Sequence, residues 1–241
     1  MSRTLKLHLA ALLLRCGIFF TLLYFCFSDP EQIETQLYTI QWRPNLINLL
    51  WLIFSLTMIR RFFPNPASDC IGHQKQFSYC FQASETHLCG NSDEKTPAQL
   101  RQLGNRGILT IAVIWSLGNG VVFFFYMQDC FDVHILLLLS AAYSICDIIC
   151  ILFWCPFQRI WMRNHCCTTC RIYNWDFIMM CTPLLIIPSF YTRTLCVLAI
   201  VLLVRWELTA YRHPERFLPT TNKALRCPNC TAQLCYFKRK K

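Results

Sequence analysis

The sequence predicts an all-α integral membrane protein with about six transmembrane helices. Hydrophobic residues make up 55% of the 241 residues, whereas charged residues make up only 15%. A soluble domain carries about 25% charged residues, so this composition points away from a soluble globular enzyme. The third observation is that the apolar residues occur in long runs, most of them close to the ~20 residues that span a bilayer.

The first two helices are predicted within residues 1–61. Leu7 to Phe27 is an apolar run that follows two basic residues and lacks a small-x-small cleavage site, so we expect an uncleaved first helix. An acidic loop begins at Asp29. Asn45 to Ile59 is a second, shorter crossing, which ends at a pair of arginines.

Four more helices are predicted in the rest of the chain. The predicted division is a Cys- and His-containing loop at residues 62–106, the third and fourth helices at 107–154, a basic cysteine-rich loop at 155–171, the fifth and sixth helices at 172–211, and a cysteine-rich basic tail at 212–241. Pro183 and Pro188 predict a bend in the fifth helix, as membrane helices tolerate. A turn at Thr192–Thr194 is expected before the sixth.

The distribution of charge predicts the orientation of the chain. The loops after the first, third and fifth helices hold five acidic residues but only two basic ones, Arg43 and Arg193. Nearly all other Lys and Arg residues fall on the opposite side, which is the cytoplasmic side under the positive-inside rule. Both termini are therefore expected in the cytoplasm, and the net charge of +10 is explained without a nucleic acid partner.

The expected surroundings follow from this topology. The short loops favour a bacterial inner (plasma) membrane, with the cysteine motifs facing the cytoplasm. Membrane lipids are the expected contacts, because basic, aromatic stretches such as Phe157 to Arg163 suit an interface with lipid phosphates. A cytoplasmic or membrane protein partner is left open.

Ten of the 17 cysteines fall in polar segments that the topology places in the reducing cytoplasm, where metal binding or catalysis is favoured over disulfides. Two pairs have the C-x2-C spacing that lets both thiolates face one metal: Cys167 with Cys170, and Cys227 with Cys230. A hairpin of two membrane helices between the pairs would bring them together. We therefore predict a four-cysteine zinc site, clamping a small cytoplasmic cap.

Further residues near this site leave alternatives open. The spare ligands are Cys155, His165, Cys166 and Cys235. An iron–sulfur cluster is the alternative cofactor, because Cys227, Cys230 and Cys235 repeat a known cluster spacing in reverse. A second group, Cys70, His73, Cys80, His87 and Cys89, fits no finger pattern, so unliganded loop residues are favoured over a second metal site.

Ionisable residues at membrane depth form the last candidate site. They are Arg15, Asp147, Asp176, Arg205 and Glu207. Charges in a bilayer are costly, and they usually pair with one another or line a path. The simpler interpretation is an ion pair of Arg15 or Arg205 with Asp147, which fixes helix packing. The alternative is an intramembrane polar pocket that opens to the cytosol beneath the cap.

These features support three hypotheses of function and leave open whether the chain is an enzyme. The first is a scaffold, assembly factor or complex subunit with a structural zinc site. The second is a membrane redox enzyme that uses an iron–sulfur cluster or reactive thiols with a quinone. The third is a transporter or lipid-handling protein that uses the charged pocket. Residues Arg163 to Cys170 resemble the zinc-binding region of protein palmitoyltransferases, but the Asp-His-His-Cys tetrad is absent, so no catalytic residue is implied.

Overall fold

The computed structural model of the chain describes residues 2–40, 44–65, 70–84, 97–162, 166–230 and 232–238; the side chains of residues 97–104 and of Cys167 are not described. The α-helices within these ranges are α1 (Arg3–Ser28), α2 (Pro30–Tyr38), α3 (Leu46–Arg60), α4 (Pro97–Met127), α5 (Val133–Leu152), α6 (Asp176–Cys181) and α7 (Phe190–Arg212). The described residues form no extended strand, and Ala83 and Asn222 make an isolated antiparallel bridge. The all-α prediction is confirmed for these ranges.

Four helices are long and apolar enough to cross a membrane. They are α1, α5, α7 and the part of α4 that spans Asn105–Met127. They are consistent with an integral membrane protein. Helix α3 is apolar, but its 15 residues span about 22 Å, less than the ~30 Å of a hydrocarbon core. The second crossing stays a prediction.

The fifth predicted crossing is not one continuous helix. Its residues form a 3-10 turn at Arg171–Trp175, then α6, then a second 3-10 turn at Thr182–Ile186. Pro183 cannot donate the hydrogen bond that would continue α6. Neighbouring side chains satisfy the freed backbone groups: Ser140 Oγ donates to the Met180 carbonyl at 2.8 Å. Such breaks survive at membrane depth only where protein covers them.

The turn expected at Thr192–Thr194 is wrong, because these residues lie in the first turns of α7. Pro188 precedes the helix, and the Ser189 hydroxyl caps it by accepting from the Tyr191 N–H at 3.3 Å. A serine N-cap after a proline is a strong helix start. The last helix therefore begins five residues earlier than the apolar run suggests.

The start of α1 and the ends of α3, α5 and α7 lie on one side of the bundle, against three loop segments. We name these segments, residues 70–84, 166–175 and 213–238 without residue 231, the loop layer. Contacts join them to each other and to the helices: Lys75 Nζ donates to the Thr169 carbonyl at 3.0 Å, and Lys238 Nζ donates to the Cys150 carbonyl at 2.7 Å. The loops that carry the cysteine motifs thus lie at the same end of the helices.

The main apolar core lies among α1, α2, α3, α5, α6 and α7, away from the loop layer. Its most buried members include Leu22, Ile33, Met58, Leu136, Cys181 and Ala199. A smaller cluster at the other end joins Leu5 of α1 to Leu152 of α5 and to Leu234 of the tail. The tail is therefore packed against the helix ends.

Candidate functional site

A cavity of about 260 Å³ lies between α4, α5 and the broken segment that contains α6. Its lining combines aromatic rings, thiols and two carboxylates: Trp115, Tyr143, Cys146, Asp147, Cys150, Cys155, Phe157, Cys170, Tyr173 and Asp176 among others. This is a pocket built on the ends of several elements, next to the loop layer.

Aromatic side chains form one wall of the cavity. The Trp115 ring lies 4.6 Å from that of Tyr143 and 6.3 Å from that of Phe157, centroid to centroid. Trp115 Nε1 donates to Thr182 Oγ1 at 3.1 Å, which holds the indole of α4 against the broken segment. Apart from the Tyr143 hydroxyl and the Trp115 Nε1–H, which is bonded to Thr182, the wall is apolar, so it suits an apolar ligand body.

Two carboxylates of the cavity wall are each held by an arginine from another helix. Arg15 Nη1 donates to Asp147 Oδ2 at 3.1 Å, and it also donates to the Ser144 carbonyl. Arg61 Nη1 and Nη2 donate to the two carboxylate oxygens of Asp176, at 2.8 and 2.5 Å, and Nη1 also donates to Asn174 Oδ1 at 3.0 Å. The Asp176 side chain is only 7% exposed. Such bidentate pairs are the strong ones.

The five predicted membrane-depth charges therefore divide into two groups. Asp147 and Asp176 line the cavity, and Arg15 is bonded to Asp147. Glu207 lies elsewhere and accepts from Arg171 Nη2 and Trp175 Nε1, at 2.5 and 2.9 Å.

Arg205 is also away from the cavity. Its guanidinium donates to the Phe62 carbonyl at 2.7 Å and stacks on the Phe62 and Phe77 rings at 5.3 and 5.2 Å. The structure thus brings together three of the five residues and ties the other two to the edge of the loop layer.

The predicted metal ligands are spread over separate places. Cys170 is buried and lines the cavity, whereas Cys227 is exposed. Cys230 packs in the small cluster around Leu5 and Leu152. Among the His, Cys, Asp and Glu side chains that the structure describes, no three form a group that could hold a metal. The side chain of Cys167 lies outside that description, so the four-cysteine site stays a prediction.

The spare ligands are also separated. Cys155 is buried on the cavity wall, and its sulfur accepts from the Gln158 N–H at 3.4 Å. Cys166 contacts the Thr168 hydroxyl at 3.0 Å, and Cys235 is half-buried in the tail. His165 lies outside the described residues.

The second cysteine group contains a disulfide. Cys70 and Cys80 are bonded, with their Cα atoms 5.0 Å apart. This overturns the expectation that both are unliganded thiols and removes two of five candidate donors from that group. Burial lowers the pKa of His73 to about 4, so its ring is neutral at physiological pH. His87 and Cys89 lie outside the described residues.

Sequence reasoning missed two cations of this end, the largely buried Arg61 and the fully buried Lys75. From the sequence, Arg61 is interpreted as a topology signal at a helix end, yet Asp176, predicted near the inner end of the fifth crossing, is a signal that could have suggested the pair. Lys75 is fully buried, although it lies in a polar loop where lysines are almost always exposed. No feature of the sequence marks its burial.

Burial lowers the pKa of Lys75 to about 7; the nearby Cys170 thiol opposes this effect, and Arg171 adds to it. Burial also raises the pKa of the Cys170 thiol, which favours its neutral form. The two residues are in contact where the loop layer borders the cavity, because Lys75 Nζ donates to the Cys170 backbone carbonyl at 3.0 Å.

Comparison with known proteins adds no assignment to this geometry. No family model matches the chain, and neither a curated protein nor a solved structure is significantly similar to it.

Proposed function

We propose that this chain is a membrane protein that binds a lipid-soluble molecule in the cavity beside α5. The main observation is the position of Cys146. It lines the cavity and is exposed, although it lies in the candidate membrane span α5. At 1.5 Å per residue it is about 20 Å from the start of α5, which is hydrocarbon depth. An exposed residue at that depth faces lipid, so a ligand would enter sideways from the bilayer.

The polar end of the cavity supports a class of ligand. Arg15 occupies one oxygen of Asp147, Oδ2, and no described residue donates to the other, Oδ1. That oxygen can accept a hydrogen bond from a hydroxyl or amine. An anionic head group is disfavoured, because it would meet Asp147 and Asp176 in a low-dielectric site. The expected ligand is an amphipath with an apolar body and a hydrogen-bond-donating end.

Photolabelling tests this proposal on the detergent-purified full chain. The probe is a long-chain alcohol that carries a diazirine, and the labelled residues are found by mass spectrometry. We expect saturable labelling of the aromatic wall around Tyr143 and Phe157. Unlabelled long-chain alcohol should compete well, and a fatty acid of equal length should compete poorly.

Two variants make the test specific. Cys146→Trp places a bulky side chain at the lipid-facing mouth and should abolish the saturable labelling. Leu117→Trp is the matched control, because Leu117 is 67% exposed on α4 and does not line the cavity. Labelling that does not saturate, or that is equal in both variants, would contradict the proposal.

A structural or interaction role with zinc is the second candidate. The observation that favours it is the tight turn at Cys227–Asn229, which is closed by a bond from the Cys230 N–H to the Cys227 carbonyl at 3.2 Å. This is the compact turn that a C-x2-C pair needs. The basic residues of the loop layer favour a proposed placement on the cytoplasmic side of the membrane. The bacterial inner membrane stays a prediction from the short loops.

Metal analysis with a visible spectrum decides this second candidate. About one zinc per chain, lost in Cys227→Ser and kept in Cys26→Ser, would support the zinc site. Iron with broad visible absorption would instead support the redox alternative with a cluster. Absence of metal would remove both.

A further inference from the structure

The segment Cys70–Cys80 is a loop closed by a disulfide, with Lys75 at its middle. Lys75 is 0% exposed. Its Nζ donates to the carbonyls of Thr169 and Cys170, both at 3.0 Å, and lies 5.0 and 5.1 Å from the ring centroids of Trp206 and Phe217. The disulfide and the buried lysine therefore belong to one structural unit.

Burial of this lysine opposes closure of the segment. No acidic side chain among the described residues forms an ion pair with Lys75. Two carbonyls and two ring faces offset part of the desolvation of an ammonium, but a buried cation without a carboxylate is costly. Something other than Lys75 must hold the segment in place.

The rest of the segment is held by a close fit and by two hydrogen bonds of Gln76. Gly72 has φ +59°, and a Cβ there would lie 2.8 Å from the Tyr173 ring, so only glycine fits. Gln76 Nε2 donates to the Arg61 carbonyl at 3.2 Å, and the Gln76 carbonyl accepts from Arg216 Nη1 at 2.8 Å. Such bonds contribute modest net stability, and the one from the charged Arg216 contributes more than the neutral one. The disulfide is the strongest constraint, because it limits the open conformations of the loop.

The basic residues of the loop layer and the Cys70–Cys80 disulfide favour opposite sides of the membrane for this segment. Basic residues predict a cytoplasmic loop layer, whereas stable disulfides belong to oxidising compartments. A disulfide that forms and breaks satisfies both, since cytosolic disulfides are usually transient and redox-sensing.

We propose that Cys70 and Cys80 form a redox-controlled clasp. When oxidised, it holds Lys75 between Trp206 and Phe217; when reduced, it releases the segment and exposes the Lys75 amine and both rings. This inference does not depend on a ligand in the cavity.

The reductant is a small thiol. Its thiolate attacks the half-buried Cys70 sulfur, and the fully buried Cys80 sulfur leaves as a thiolate that takes up a proton. A second small thiol then cleaves the mixed disulfide at Cys70. Two electrons pass to the protein, giving two cysteine thiols and one small-molecule disulfide. A small-molecule disulfide reverses the reaction.

Amine labelling tests the clasp on the full chain. The purified protein is briefly acetylated, with and without dithiothreitol, and labelling of Lys75 is measured relative to exposed Lys6 by mass spectrometry. We expect reduction to raise the relative labelling of Lys75 by roughly tenfold to a hundredfold, because the loop constraint is lost. Reoxidation with glutathione disulfide should restore its protection.

Two double variants complete the design. Cys70→Ser/Cys80→Ser should show high Lys75 labelling in both conditions. Cys16→Ser/Cys26→Ser removes two free cysteines of α1 and should behave like the wild type. The proposal is overturned if Lys75 of the wild type stays protected once the Cys70–Cys80 linked peptide has disappeared. It is equally overturned if that linked peptide never forms under oxidising conditions.

Discussion

Arg61, which is largely buried, and Lys75, which is fully buried, both lie beside the loop layer, but their charged groups have different partners. Arg61 is bonded to the Asp176 carboxylate through two nitrogens. Lys75 has carbonyls and rings around its amine instead of a carboxylate. The Asp176 carboxylate belongs to α6, which is part of the helix bundle. The groups that contact Lys75 belong to loops and to the end of α7.

The contacts of Arg61 are a fixed part of this end of the molecule, whereas those of Lys75 are conditional. The Arg61–Asp176 pair joins the end of α3 to the start of α6, and separating it would leave two largely buried charges without partners. Release of Lys75 instead gains the hydration of an amine. The first contact therefore supports the fold, and the second can open under a change of redox state or pH.

The largest expected effect comes from breaking the arginine pair. Asp176→Ala leaves the largely buried Arg61 without a carboxylate and should lower the free energy of unfolding by up to about 3–5 kcal/mol. Thermal unfolding in detergent measures it. Asp132→Ala is the control, since Asp132 is exposed and its side chain does not cap α5. Equal losses in the two variants would show that the pair is not structural.

The next effect is loss of the clasp. Cys70→Ser/Cys80→Ser should lower the stability of the oxidised protein by about 2–3 kcal/mol, because a loop of this length is no longer closed. Thermal unfolding without reductant reveals the difference, and dithiothreitol should bring the wild type down to the variant. A wild type that does not respond to reductant would contradict a reducible disulfide.

Lys75 should make the free energy of unfolding depend on pH, by an amount similar to or smaller than the loss expected for the disulfide variant. Its folded pKa of about 7 lies below the 10.5 of a free lysine, so the unfolded chain binds more protons between these values. Stability should therefore rise with pH from about 7 upward, by at most about 1.4 kcal/mol per pH unit. Cys166, Cys170 and Arg171 face this amine.

Lys75→Met isolates this contribution, because it keeps the length of the side chain and removes the titrating group. Cys166, Cys170 and Arg171 are present in both proteins, so the difference between the two thermal-unfolding curves over pH 7–9 reports Lys75. A difference that does not change with pH would exclude a lowered pKa.

The smallest effect is expected at the ring beside Lys75. Trp206→Phe keeps an aromatic face but loses the bond from Nε1 to the Arg171 carbonyl, which is 2.7 Å long. A loss of about 1–2 kcal/mol is expected for a partly buried carbonyl left without its donor. Trp154→Phe, at a residue that is 52% exposed, is the control in the same unfolding assay. Equal stability of both variants would show that this bond contributes nothing.

The sequence alone was enough to predict the four helices that are long and apolar enough to cross a membrane, because hydrophobic length is a local property of consecutive residues. That charged residues lie at membrane depth stays a prediction. The predicted start of α7 is wrong. The apolar residues of the fifth predicted crossing continue past Ser189, so they hide the boundary that Pro188 and the Ser189 cap set at Phe190. The zinc site and the six crossings stay predictions.

Which charged residues pair with each other follows from the packing of the helices and not from the sequence alone. Whether Arg15 or Arg205 reaches Asp147 depends on the rotation of α1, α5 and α7 about their axes, and apolar runs that face lipid on most sides do not encode that rotation. The burial of Lys75 and the pairing of Cys70 with Cys80 depend on where a polar loop folds back. A loop has no periodicity from which burial can be read, so its contacts arise only when the helices that carry it have packed.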